Sequence, residues 1–340
     1  GTDKTTDQLL AGYKDGSNTE AENRLLEVML FQYGRYLTIA SSREGTLPSN
    51  LQGLWQNRIG DSNSVPWGSD YHLNVNLQMN YWPAYVTNMT ECAIPMIDYM
   101  ESLREPGRVT AEVYAGVVSD EENPENGFMA HTQNTPFGWT CPGYGFNWGW
   151  SPAAVPWMLQ NVWEYYEYTG DVDFMRENIY PMMKEEVTLY EQILVYDAES
   201  DRMVSAPSYS PEQGPRTIGN TYEQTLIWQL YEDTITAAEI LGVDADKVEE
   251  WKETQSKLKP LQIGDDGQIK EWYEETTLGS MGGEMNHRHM SHLLGLYPGD
   301  LITVDDEEAM DAAIVSLEAR GENGVGWGCA HRACLWARTG

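Results

Sequence analysis

The chain has 340 residues, of which 53 are acidic and 21 basic, for a formal net charge of −32. Such a balance repels phosphate backbones and anionic headgroups, which excludes nucleic-acid and anionic-membrane partners, and no apolar run is long enough to span a bilayer. Hydrophobic residues make up 41% of the chain, enough for a core, and the aromatics are 13 Trp and 20 Tyr against only 5 Phe. Aromatics with a polar handle suit a wet cleft for a polar, ring-shaped ligand.

Taken in chain order, helical periodicity dominates. Leu25, Leu26, Met29, Leu30, Tyr33, Tyr36 and Leu37 recur at the spacing of a long amphipathic first helix. A Gly/Pro/Ser-rich connection over 41–66 follows. Residues 71–81 then alternate His72, Asn74, Asn76, Gln78 and Asn80 with Leu73, Val75, Leu77 and Met79. In an extended backbone that period of two puts His72, Asn74 and Asn76 on one face. Helices are expected from about 77 to 88–91 and over 93–103. Residues 115–150 read as a long Gly/Pro/aromatic loop of the kind that tends to carry function. Helices over 153–168 and 172–194 flank Thr169-Gly170-Asp171, where Gly ends one and Asp caps the next. An extended piece at 202–206, helices at 222–241 and 245–258, a short hairpin at 262–272, and helices at 309–319 and 325–338 complete the chain. Helices alternating with long loops, with no βαβ rhythm, predict an all-α fold of antiparallel helix pairs arranged as a toroid.

Five groups of residues carry candidate chemistry. Asn and Gln are poor strand formers, so the polar face at 72–80, bracketed by Trp67 and Trp82, reads as a sugar-site lining as well as a plain polar edge. Glu212, in S-Y-S-P-E-Q-G behind Pro211, sits on a stiffened loop. A rigid, partly apolar setting can raise a Glu pKa for general-acid work, although an exposed loop Glu is the ordinary alternative in so acidic a chain. His287, Arg288, His289 and His292 form H-R-H-M-S-H, which lacks the zinc-hydrolase pattern H-E-x-x-H. Arg288 and His289 therefore read as donors to sugar hydroxyls, with no metal, and His292 as a residue that caps or packs a helix. Trp139, Trp148 and Trp150 lie in the central loop as stacking candidates, whereas Trp157 and Trp163 fall in a helical period and read as core. Cys92, Cys141, Cys329 and Cys334 show neither a metal nor a disulfide pattern and are expected to be small buried residues. No nucleotide loop or nucleophile elbow is present, and no cofactor is expected.

Four blocks together resemble glycoside hydrolase family 95, the inverting α-L-fucosidases: L-F-Q-Y-G-R-Y-L at 30–37 with S-S-R-E-G-T-L-P-S-N-L-Q-G-L-W at 41–55; W-G-S-D-Y-H-L-N-V-N-L-Q-M-N-Y-W-P at 67–83; A-P-S-Y-S-P-E at 206–212; and H-R-H-M-S-H-L-L-G-L-Y-P-G at 287–299. The resemblance implies an (α/α)6 toroid acting on fucosylated oligosaccharides, typically α-1,2-linked to galactose, without a metal. It implies Glu212 as general acid, Asn74 and Asn76 as the amides that hold the attacking water, and Arg288 and His289 as sugar contacts. His72 corresponds to the position that separates fucosidases from α-L-galactosidases of the family. A secreted or periplasmic protein is implied, although the first residues lack signal-peptide character. The family's flanking β domains and the I-D-G-N-F-G-like block that supplies its base Asp have no counterpart here, so the expectation is an incomplete toroid that is poorly active alone. An α-L-galactosidase and a non-hydrolytic glycan-binding module are the alternatives.

Overall fold

The alternation at 71–81 does not persist as a strand. In the computed structural model, which describes residues 2–55, 66–143 and 145–340, only Tyr71–His72 (β1) is extended, and a helix begins at Asn76. Leu77, Tyr81, Ala84 and Tyr85 are all buried. That helical spacing extends past the alternating stretch and wins over it, because the longer periodic segment has more apolar surface to bury. Asn74 and Asn76 therefore sit at a turn and a helix start rather than on one strand face.

Before it, α1 (Thr6–Asp15) and α2 (Glu20–Ser41) form a hairpin. Thr19 and Glu22 make a capping box at the start of α2, with the Thr19 amide donating to Glu22 Oε2 at 2.8 Å. The predicted first helix thus exists, but its apolar side chains are not core. Leu30 is 73% exposed and Phe31, Tyr33 and Tyr36 are also open, because α2 packs chiefly against α1 and α3 among the described residues.

The remaining helices are α3 (Asn76–Val86), α4 (Ile94–Ala115), α5 (Phe146–Gly149), α6 (Ala154–Thr169), α7 (Val172–Phe174), α8 (Tyr180–Ile193), α9 (Thr221–Leu241), α10 (Ala245–Lys257), α11 (Glu307–Arg320) and α12 (Gly326–Arg338). Helix α4 runs well beyond 103, through Pro106 to Gly116 at φ 72°. The turn after α6 forms as expected: Gly170 has φ 65°, and Asp171 accepts from the Phe174 amide at 2.9 Å. Among the described residues, three antiparallel two-stranded ribbons accompany the helices: β1 with β2 (Gln133–Asn134), β3 (Val195–Asp197) with β4 (Arg202–Val204), and β5 (Ser208–Tyr209) with β6 (Arg216–Thr217). The hairpin expected at 262–272 reduces to one bridge, Ile263 to Ile269.

Helix α3 packs on α6, α6 on α9, α9 on the 3-10 turn Ser291–Leu293, and α12 returns to α3. Helices α4, α8 and α10 form a second layer on this set. The result is an all-α, two-layered (α/α)6-type architecture. Its main core includes Met96, Met158, Val162, Met183 and Tyr231 between the layers. A smaller cluster joins Val75, Ala153, Trp157, Tyr222, Leu226 and Leu294. All but Leu294, which follows the 3-10 turn, stand at the N-terminal ends of α3, α6 and α9, so the loops leading into these helices meet at one end of the ring. Trp157 and Trp163 are core, as their period predicts. Cys92 is buried, but Cys329 is exposed and Cys141 and Cys334 are half-buried, which corrects the expectation for those three.

Candidate active site

The acid candidate is set by a ribbon and a buried anchor. Strand β5 pairs with β6 in the register Ser208 to Thr217 and Tyr209 to Arg216, leaving Glu212 at the tip with φ 62°. A left-handed backbone at a non-glycine residue costs free energy and persists only when its surroundings fix it. Here they do. Ser210 Oγ and Gln213 Nε2 both donate to Glu271 Oε1, at 2.5 and 2.6 Å, and Arg320 donates to Glu271 Oε2 at 2.5 Å. Gly214 has φ 70°, and a Cβ there would lie 2.1 Å from the Trp272 ring, so no larger residue fits. His287 lines the same loop from below, with Nε2 3.2 Å from the Pro211 carbonyl and Nδ1 3.1 Å from Glu284.

Around Glu212 the chain gathers residues from two distant segments. Asn74 Nδ2 donates to Oε1 at 2.9 Å. Arg288 Nη2 pairs with Oε2, and His289 Nε2 stands 3.6 Å from the same oxygen. His72 Nε2 lies 3.9 Å from Oε1, and its Nδ1 is held by Asp70 at 2.9 Å. The Glu212 side chain is 14% exposed and that of Arg288 36%, so the guanidinium forms the solvent side of the cluster. Asn76 is half-buried one turn-residue into α3, beside Asn74 in sequence. The carbonyl Oδ1 of Asn74 is buried with no donor among the described residues.

The electrostatics reverse one expectation. Burial alone would raise the Glu212 pKa, but the close imidazoles of His289 and His72 and the hydrogen bond from Asn74 outweigh it and hold the carboxyl far below its ordinary range. His289 is itself buried, and burial pushes it below its usual value. Its effect at neutral pH is therefore a neutral hydrogen bond rather than a full charge. The loop is rigid, but polar donors rather than apolar walls surround the carboxylate, and that is why the predicted raised pKa is not found.

Other sequence candidates go elsewhere. Trp82 packs in the core against Tyr297, with ring centroids 4.9 Å apart, and Trp67 is 75% exposed, so they do not bracket a sugar face together. Trp150 is half-buried, stacks on Phe146 at 5.3 Å, and donates from its indole nitrogen to the Pro207 carbonyl at 2.8 Å. It thereby braces the loop that leads to Glu212. Trp139 and Trp148 face solvent, and neither is among the groups that contact Glu212. The three His residues of H-R-H-M-S-H diverge: His287 turns to Pro211, His289 to Glu212, and His292 to Glu271 at 4.0 Å. Among the described residues no group of three His, Cys, Asp or Glu side chains is arranged to hold a metal ion. Sequence reasoning missed Asp70, Glu271 and Arg320. Asp70 lay inside the most informative block, two residues from His72, whereas nothing local distinguishes Glu271 from the other acids.

A helical ring whose loops gather one carboxylate among amide, imidazole and guanidinium donors defines the catalytic domain of a carbohydrate-processing enzyme. A solved structure provisionally described as a kojibiose phosphorylase from the human microbiome superposes with TM-score 0.54 at 11% identity, over 85% of this chain and 41% of that one, and so shows the fold alone. The chain belongs to glycoside hydrolase family 95: the model of the glycosyl hydrolase family 95 catalytic domain matches residues 1–340. It is similar to "Alpha-L-fucosidase 2" of Arabidopsis thaliana, 37% identical over 94% of this chain and 37% of that protein. It is also similar to "Probable alpha-fucosidase A" of Aspergillus niger, 34% identical over 98% of this chain and 42% of that protein. The chain thus spans about two fifths of the length of these curated relatives.

Proposed function

We propose that this domain hydrolyses terminal α-L-fucosyl residues of oligosaccharides with inversion. The observation that carries the reading is the shared environment of Glu212 and Asn74. One carboxylate is held by an amide nitrogen whose own carbonyl oxygen is buried and free to accept from a water. In this reading Glu212 protonates the leaving oxygen, and Asn74, with Asn76 beside it, orients the water that attacks the anomeric carbon from the opposite face. An amide takes no proton near neutral pH, so the water's proton passes to a carboxylate that the described side chains bonded to Asn74 do not supply. In the same reading His72, Arg288 and His289 contact the fucose, and the exposed Trp139 and Trp148 flank the longer glycan.

The ion pair between Glu212 and Arg288 implies a sequence of events. An empty site keeps Glu212 ionised, and a general acid must be protonated. Sugar hydroxyls that draw the part-exposed Arg288 away remove its positive charge and water from Glu212, and both changes raise the carboxyl pKa. The test is hydrolysis of an α-1,2-fucosyl galactoside, with the configuration of the released sugar followed by NMR, in the protein as encoded and in residues 1–340 alone. Release of β-L-fucose that disappears in Glu212→Gln is the expected result. Initial release of the α-anomer, or full activity in that variant, would refute the assignment.

A further inference from the structure

Asp70 belongs to none of the roles above. Its carboxylate, 12% exposed, holds His72 Nδ1 at 2.9 Å, and the opposite ring nitrogen Nε2 faces Glu212 Oε1 at 3.9 Å. An ionised carboxylate only accepts hydrogen bonds, so Nδ1 keeps its hydrogen and any proton the ring gains or loses is on Nε2, the nitrogen facing the acid. The antiparallel pairing of His72 with Gln133, and of Tyr71 with Asn134, fixes the backbone on which this dyad stands. Asn134 in turn donates to the Tyr71 carbonyl at 2.7 Å.

We infer that Asp70 is a positioning residue for proton delivery: it fixes His72 so that Nε2–H points at Glu212 and re-supplies the proton that Glu212 gives to the leaving oxygen. This rests on the reading of Glu212 as the general acid. In the step, the Glu212 O–H bond breaks as the leaving-group O–H forms. The His72 Nε2–H bond then breaks as the Glu212 O–H reforms, His72 is left neutral with Nδ1–H still on Asp70, and solvent restores Nε2–H. The 3.9 Å separation closes to transfer range by a rotation of the Glu212 carboxyl or through one water.

The charged and titratable groups around the dyad set where the proton rests before substrate binds. Glu212 faces it from the β5–β6 turn, with Arg288 and His289 behind that carboxylate, and Tyr99 of α4 lies on the Asp70 side, its pKa raised chiefly by burial with Asp70 adding to it. Burial disfavours charge on His72, but the Asp70 hydrogen bond and then Glu212 outweigh it and push the imidazole up to about 9. The ring thus carries Nε2–H across the neutral range, and that proton passes to Glu212 only after sugar binding has raised the carboxyl pKa.

The experiment compares two α-L-fucosides in the protein as encoded: the fluoride, whose leaving group departs without protonation, and a galactoside, whose leaving oxygen needs it. In Asp70→Asn the expected kcat on the galactoside falls about 10- to 100-fold, the loss typical of an orienting partner, while that on the fluoride stays within about twofold. Asp70→Glu restores part of the loss. The His72 ring nitrogens, followed by NMR, titrate at lower pH in Asp70→Asn, a readout independent of turnover. Equal losses on both substrates, or no change in the His72 titration, would overturn the inference. Glu212→Gln run beside it separates the two ideas. If that variant spares the fluoride and Asp70→Asn does not, the dyad proposal alone fails; if Glu212→Gln treats both substrates alike, the acid reading fails and the dyad proposal with it.

Discussion

Removing the charge of Glu271 tests what holds the catalytic loop in place. Its carboxylate and the Arg320 guanidinium are each 1% exposed, and Arg320 donates to Oε2 at 2.5 Å. The other oxygen takes Ser210 and Gln213, the residues two before and one after Glu212. In Glu271→Gln the guanidinium becomes a buried charge without a counter-ion. Breaking one side of such a pair costs about 3–5 kcal/mol, which for a domain of this size corresponds to a fall in Tm of roughly 5–10 °C. A double variant, Glu271→Leu with Arg320→Met, recovers much of that loss, because an apolar pair of similar volume pays no desolvation penalty. The same single variant lowers kcat, since the one oxygen that remains must serve either the two flanks of Glu212 or Arg320. Thermal and urea unfolding measure the first effect and turnover the second. A Glu271→Gln protein that melts within 2 °C of the parent, an interval taken as about 1 kcal/mol or less, would falsify the anchoring argument. There is a pH signature as well. Burial opposes ionisation of Glu271, but the Arg320 charge and the hydrogen bonds from Ser210 and Arg320 hold its pKa below the ordinary value of 4.5. Its folded-state pKa is depressed, so its contribution to stability is present above about pH 4.5 and fades as pH falls through the depressed value.

Three further outcomes follow from the geometry. Arg288→Gln removes the cation on Glu212 Oε2, so the Glu212 pKa rises and the basic limb of kcat/KM moves to higher pH; a limb that stays put or moves down refutes the pairing. Gly214→Ala forces a Cβ to within 2.1 Å of the Trp272 ring at a left-handed backbone, so activity is lost along with about 2 kcal/mol or more of stability, and wild-type melting with full turnover would show the contact to be unimportant. His131, His292 and His331 are buried and kept neutral by burial, at about 3, 3 and 4 against an ordinary 6.5. Their folded pKa values are depressed, so the unfolded chain binds more protons below pH 6.5 and stability falls as pH drops toward 4, by about 2 kcal/mol per residue at pH 5. Urea unfolding at pH 7 and pH 5 checks this, and equal midpoints contradict it.

Local chemistry made much of the fold legible. Long helical periods, the Gly170-Asp171 stop and cap, and the core positions of Trp157 and Trp163 each depend on residues a few positions apart, and the sequence reading of them agrees with the structure. The motif blocks likewise named Glu212, Asn74, His72, Arg288 and His289, which the fold brings to one cluster from segments more than 70 residues apart. Other features depend on partners that no local pattern reveals. Alternation from residue 71 looked extended because period two is all a short window can show; only Tyr71–His72 forms a strand, whereas the helix expected from about 77 does form, beginning at Asn76. The face of α2 looked like core because apolar spacing records an ability to bury surface, not the presence of something to bury it against. Whether Glu212 is neutral or ionised was beyond the sequence altogether. A carboxylate's pKa is set by the few donors within about 4 Å, and only the tertiary structure put Arg288, His289, Asn74 and the Asp70–His72 pair there.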